Sequence, residues 1–361
     1  MLRKLIVTAV LTAALSPLFA QETPATEPVK EEKKPLIISG FVDAYYRYDF
    51  SKNPSNNRTS FTNSHNSFEL GMASVKLEHS IGKVGFVADL GFGKRAQEFS
   101  YNDNGITQAI KQLYVTYSPK DWLKFTMGSW ATHVGYELVD APANRNYSMS
   151  YMFSWGPFFH TGIKAEATAG KSGFMLGISN QTDYKWSPPG AKKFILAQYS
   201  LAATDKIKLY LNYVGGQTAD SIKVRQLDLV AMATLTDKFS VGFNGTVQSK
   251  KTVTQDALAA KEDFKNWWGT AAYLNFDPSS TVGFTFRSEI HNDKNQLGGM
   301  SIAPMGASVW ANTLSANFKA GPLTFIPEIR FESASKEIFA DKDGAALKSN
   351  TSALIAAIYK F

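Results

Sequence analysis

In 361 residues, 38 Lys and Arg against 31 Asp and Glu leave a formal charge of +7, and nothing gathers the excess into a nucleic-acid patch. Cysteine is absent, which excludes disulfide staples, and no stretch after the N-terminus is apolar and long enough to cross a membrane as a helix. Aromatic residues make up 13%, which suits either a β-rich core or the interfacial girdles of a membrane barrel.

Residues 1–20 read as a signal peptide. Arg3 and Lys4 form the basic start, Leu5 to Leu15 the apolar run, and Pro17-Leu18-Phe19-Ala20 the cleavage region. Residues 21–35 are polar, charged and proline-bearing, and read as a disordered periplasmic tether. From residue 36 to 361 the chain alternates with period two.

The first strand, about 36–50, places Val42, Ala44, Tyr46 and Tyr48 on one face and Asp43, Tyr45, Arg47 and Asp49 on the other. The second, about 67–80, changes phase near Met72, which either a bulge or a different strand start would explain. After the turn Ile81-Gly82-Lys83, the third strand sets Val84, Phe86, Ala88, Leu90 and Phe92 against Asp89 and its neighbours. Strands around Leu113, Phe125, Lys164, Leu176, Ala197, Leu209, Leu229, Phe243, Ala272, Phe286, Leu314 and Ile329 repeat the pattern. The closing strand runs through Ile355, Ala357, Tyr359 and Phe361, an apolar face ending in two aromatics.

Connections alternate between tight turns and longer loops. A sandwich gives no reason for that alternation. An all-β, transmembrane antiparallel up-and-down barrel does, with short periplasmic turns on one rim and long external loops on the other. The count is about sixteen strands, enough to enclose an aqueous lumen. Its inward set includes Asp43, Arg47, Lys124, Lys164, Glu166, Arg287, Glu289, Glu328 and Arg330. Both signs occur in similar numbers, as cross-strand ladders. Such ladders fit a wetted pore with a transverse field, and they also fit salt-bridged stiffening of the wall.

The longest connection, about 131–157, is rich in aromatics that need a surface to bury against. It is expected to fold into the barrel as a constriction, with Glu137, Asp140, Arg145, Tyr147, Tyr151 and Trp155 as its characteristic side chains. A lid on the outer rim, or a contact to a neighbouring barrel, is the other arrangement.

The segments Gly135-Tyr136-Glu137, Ala141-Pro142 with Asn144, Asn146, Tyr147 and Ser148, and Phe153-Ser154-Trp155-Gly156-Pro157-Phe158-Phe159-His160-Thr161-Gly162 carry a resemblance, as does the opening Gly40-Phe41-Val42-Asp43-Ala44-Tyr45-Tyr46. Over about 40–361 the chain resembles the "putative β-barrel porin" family, OmpL-like, common among exported proteins of Bacteroidetes-type bacteria. That resemblance implies a barrel in the bacterial outer membrane with a pore function, and names no solute.

The combined expectation is a porin for passive diffusion of small hydrophilic solutes, not an enzyme, with no cofactor. The alternative is a plugged barrel serving as a surface adhesin or scaffold. The expected partners are outer-membrane lipid, the solutes, the barrel-assembly machinery through the strand ending at Phe361, and a second copy if the barrel is a homo-oligomer; nucleic acid is not among them. His65 and Ser67 stand two apart as in a lipase pair, but their flanks fit polar loop residues better. The Asn102-Asp103-Asn104 and Asp341–Gly344 clusters fall short of a calcium loop and read as turns.

Overall fold

The structure is a computed structural model, described over residues 35–253, 263–299 and 302–361. The expected signal peptide, the tether up to residue 34 and the middle of the loop at 249–265 lie outside the described residues. The alternation becomes strands β1 (Ile37–Asp49), β2 (Ser67–Ile81), β3 (Val84–Phe92), β4 (Ile110–Lys120), β5 (Leu123–Ala131), β6 (Phe159–Ala169), β7 (Ser172–Ser179) and β8 (Phe194–Thr204). It continues through β9 (Ile207–Gln217), β10 (Ile222–Thr234), β11 (Phe239–Thr252), β12 (Lys265–Phe276), β13 (Val282–Asn292), β14 (Ser308–Ala320) and β15 (Leu323–Ala334). A small hairpin, β16 (Phe339–Ala340) with β17 (Ala346–Leu347), precedes β18 (Ser349–Lys360). The short helices α1 (Lys94–Phe99) and α2 (Tyr151–Trp155) lie in connections.

Sixteen strands close an antiparallel barrel, each paired with its sequence neighbour, with β1 meeting β18 at the seam. Phe361 extends that seam by a reciprocal backbone pair with Gly40, 3.0 Å in each direction. The Phe361 ring lies over Gly40, where a Cβ would stand 2.7 Å from it and 2.2 Å from the Ser74 carbonyl oxygen. Only glycine fits there.

The phase change near Met72 is a bulge in β2. Val42 pairs with Ala73 while Ala44 pairs with Leu70, so Gly71 and Met72 both oppose Asp43. The extra amide is not orphaned: Met72 N donates to Asp43 Oδ1 at 3.0 Å. Outward residues stay exposed although they are large and apolar, for example Leu113, Val115 and Tyr117 on β4 and Phe325, Ile329 and Phe331 on β15. A belt of this kind around the whole barrel is a surface for hydrocarbon, not water. The inward rows are where the structure buries its charge. One rim carries both ends of the barrel chain and only turns of two to five residues. The other carries the long connections, except that β9 and β10 are joined there by four residues, 218–221, because both strands run further than the alternation suggests.

Candidate functional site

Residues 132–158 leave β5 and rejoin β6 at the loop rim, but between those points they run down inside the barrel. Their tip is Arg145. Its guanidinium donates to both carboxylate oxygens of Asp277, at 2.6 and 3.1 Å, and to Thr285 Oγ1 at 2.7 Å. Asp277 sits at the β12–β13 turn, on the opposite rim. The segment therefore spans nearly the full height of the lumen.

A polypeptide inside a barrel must satisfy its peptide groups there. The wall supplies the partners. Tyr147 N and Ser148 N donate to Glu328 at 2.9 and 3.3 Å, and Tyr151 N donates to Glu289 at 2.8 Å. The Arg287 guanidinium donates to Glu137 at 2.6 Å and to the Ser148 carbonyl at 2.8 Å, and Arg330 donates to the Met149 carbonyl at 2.8 Å. Arg330 also lies 3.2 Å from Glu289 without hydrogen-bond alignment, and 3.1 Å from Glu332. On the far wall Lys111 bridges Asp89 at 3.1 Å and Asp140 at 2.5 Å. Within the segment, Ser150 Oγ accepts from Phe153 N and so caps α2.

Apolar contact does the rest. Tyr147, Met149, Phe153 and Phe158 pack with Phe41, Tyr45, Phe61, Met72 and Phe99. Trp155 sits against His291, ring centroids 4.3 Å apart, and meets Trp267 edge-on. Tyr136 stacks on Tyr273 of the wall at 4.1 Å. The Tyr147 hydroxyl donates to Asp43, and Arg95 from α1 lies over the Tyr147 ring at 4.7 Å.

All nine inward charges named from the sequence are on the inner face. Asp43, Arg47, Arg287, Glu289, Glu328 and Arg330 are buried, and all of these except Arg47 contact the inserted segment directly. Arg47 instead holds Asp49 at 3.2 Å. Lys124, Lys164 and Glu166 form a separate, partly exposed group toward the turn rim, with Glu166 held at 3.1 and 3.3 Å by the two lysines. Of the six segment residues, Tyr147, Tyr151 and Trp155 are fully buried anchors and Glu137 is buried against Arg287, whereas the side chains of Asp140 and Arg145 stay about one-third exposed.

Sequence reasoning missed two parts. Lys111 went unnoticed because the β3–β4 register shifts at Asp89/Leu90 and obscures its parity. An inward apolar cluster of Trp130, Met175, Phe194, Leu196, Val214 and Val224 also went unnoticed. Its signal was present in β8, where Phe194 and Leu196 alternate with the outward Ile195 and Ala197, so both faces are apolar. Below that cluster, toward the turn rim, a cavity of about 490 Å³ remains between the segment and the wall, lined by His133, Arg145, Gln198, Tyr210, Asn212 and Asn275 among others.

The family model described as "Putative beta-barrel porin-2, OmpL-like" matches residues 35–361. The chain belongs to this family. As an OmpL-like porin it is a barrel of the bacterial outer membrane. Solved outer-membrane proteins share its architecture: the outer membrane channel DcaP of Acinetobacter baumannii, at a TM-score of 0.60 and 10% identity, covers 90% of this chain and 97% of its own. A loop-deletion form of OmpT of Vibrio cholerae gives 0.57 and 9% identity over 91% and 99%. In-vitro-folded OmpT of the same organism, in trimer form, gives 0.56 and 9% over 91% and 99%. At these identities the likeness is one of fold. A search of curated proteins returns no match.

Proposed function

We propose that this OmpL-like porin passes small hydrophilic solutes by passive diffusion, along the side of the lumen that residues 132–158 leave free. The observation that carries this reading is the cavity of about 490 Å³ beside the segment, which Gln198, Asn212, Asn275 and Arg145 line together with apolar side chains such as Val230 and Met232. In this reading the segment is the constriction. Arg145 presents charge to the path, and Asp140 is held on the far wall by Lys111. Lys124, Lys164 and Glu166 line the turn-rim end, and the buried charges hold the segment in place. The chain acts as a channel and not as an enzyme. Lipid covers its belt, and the strand ending at Phe361 is the segment the assembly machinery would engage. The trimer form of OmpT makes a homo-oligomer the arrangement to look for.

One observation favours a second reading, a plugged barrel used as a surface adhesin or scaffold. Above the cavity the inward residues Leu196, Val214, Val224, Gln226 and Gln248 are buried. Single-channel recording of the refolded mature chain in potassium chloride separates the two. Steady openings, rising toward the order of a nanosiemens when residues 142–154 are deleted, support the constricted channel. A folded barrel that passes no current until that deletion is made supports the plug. Unchanged conductance on deletion removes the segment from both accounts.

A further inference from the structure

We propose that the barrel's outer surface at the loop rim of β8–β11 binds the phosphate groups of an outer-leaflet lipid. In β10 the buried inward row is Val224, Gln226 and Asp228, so Lys223 and Arg225 face outward, and both are exposed. The register sets Lys223 directly opposite Lys251, and Arg225 opposite Ser249. On the other side, Lys223 pairs with Gln217 of β9. Lys192 N donates to the Gln217 carbonyl at 2.9 Å, which brings Lys193 to the same edge, one residue before the inward Phe194. Four cations thus share one outward edge, Lys223 and Arg225 on β10, Lys251 on β11 and Lys193, which also donates to Asn180 at 2.6 Å, just before β8, with Asp220 and Asp263 as the flanking carboxylates among the described residues.

Like charges directly opposite on one face of a sheet repel, and the repulsion is relieved when an anion lies between them. The cations also converge: Arg225 Cζ lies 4.6 Å and Lys251 Nζ 5.7 Å from the centroid of the same Phe264 ring. Beside Arg225, its partner Gly215 leaves room for the Tyr213 hydroxyl, which a Cβ there would approach to 2.4 Å. That adds a neutral donor to the cluster. Immediately toward the membrane, Leu227, Leu229 and Trp268 are exposed on the same face. Cations and a phenol over an indole and two leucines match a phosphorylated headgroup above its acyl chains. The loop rim is where the headgroups of the outer leaflet lie.

The test is a binding titration of the refolded barrel in detergent with lipid A that keeps its phosphates, with dephosphorylated lipid A, and with inorganic phosphate alone. Two triple variants are compared: Lys223→Gln, Arg225→Gln, Lys251→Gln at the site, and Lys83→Gln, Lys171→Gln, Lys206→Gln on turns of the opposite rim. All substituted side chains lie at the barrel surface, and the gel mobility of unheated samples confirms that each variant is folded. The expected result is unchanged binding of phosphorylated lipid A by the opposite-rim variant and a loss on the order of 100-fold in the site variant. Dephosphorylated lipid A should bind wild type as weakly as phosphorylated lipid A binds the site variant. Equal losses in both triples, or no preference for the phosphorylated lipid, would overturn the proposal. Inorganic phosphate binding as tightly as the lipid would overturn the lipid assignment in favour of a soluble anion.

Discussion

Replacing Arg287 with Met asks the most of the inserted segment. The guanidinium is fully buried, and besides Glu137 and the Ser148 carbonyl it reaches the Met149 carbonyl at 3.3 Å and Thr313 Oγ1 at 3.2 Å. Methionine fills much of the same volume and donates nothing. Glu137 is then left buried without its cation, and Glu289 keeps only Arg330. Breaking a buried pair from one side costs roughly 3–5 kcal/mol. The sixteen-strand ladder does not run through these contacts, so the cost falls on docking of the segment, shifting its docked-to-released ratio by about 150- to 5,000-fold. Trypsin reports the release, because the Arg145–Asn146 bond lies at the tip and is held against Asp277. Faster cleavage and a larger, noisier single-channel current are expected together. Adding Glu137→Gln to Arg287→Met removes the stranded charge and should restore part of the protection, which a general loss of packing would not allow. A folded Arg287→Met barrel with wild-type cleavage and wild-type current would refute the reasoning.

Three further outcomes follow from particular contacts. Gly40→Val puts a branched side chain into the Ser74 carbonyl and the Phe361 ring, so the unheated protein should no longer migrate as a compact barrel, and adding Phe361→Ala should not restore it because the backbone clash persists. Lys111→Met leaves Asp89 and Asp140 facing each other without a cation, and the denaturation midpoint should drop by an amount equivalent to about 3–5 kcal/mol. At the outer rim, burial pushes the Asp183 carboxyl up to about 7, although it accepts from Phe158 N, Phe159 N and the Tyr101 hydroxyl. A carboxyl raised on folding contributes stability that is complete below its unfolded value near 4 and is lost as pH rises through about 7. Hydrogen exchange at Phe158 and Phe159 should therefore quicken between pH 5 and pH 8 beyond its intrinsic pH dependence, and Asp183→Asn should flatten that excess. An excess that persists in Asp183→Asn would assign it to another group.

Period-two alternation was enough to place the strands, the phase change near Met72 that the structure resolves as a bulge, and the closing strand, because each rests on neighbours in sequence. The inward charges were legible for the same reason: parity alone separates Arg287 from Phe286. Their partners were not. Glu137 meets Arg287 across 150 residues of chain, and no local pattern encodes that meeting. Helix α2 was hidden because Tyr151 to Trp155 are mostly bulky aromatics, with the Ser150 cap as the sole helix signal. The hairpin of β16 and β17 was hidden because two residues are too few to show a period.

The seam has a consequence for how this molecule comes into being. Fifteen of the sixteen strand pairings join consecutive barrel strands, whereas the sixteenth brings Phe41 to Lys360, roughly three hundred residues apart. Until β18 pairs with β1, the growing sheet carries two open edges, each a row of unpaired peptide groups able to recruit any passing strand. Closure is therefore the slow event of folding and the point of greatest aggregation hazard. Because Phe361 makes a reciprocal backbone pair with Gly40 at the seam, a barrel lacking Phe361 should close late and misassemble often.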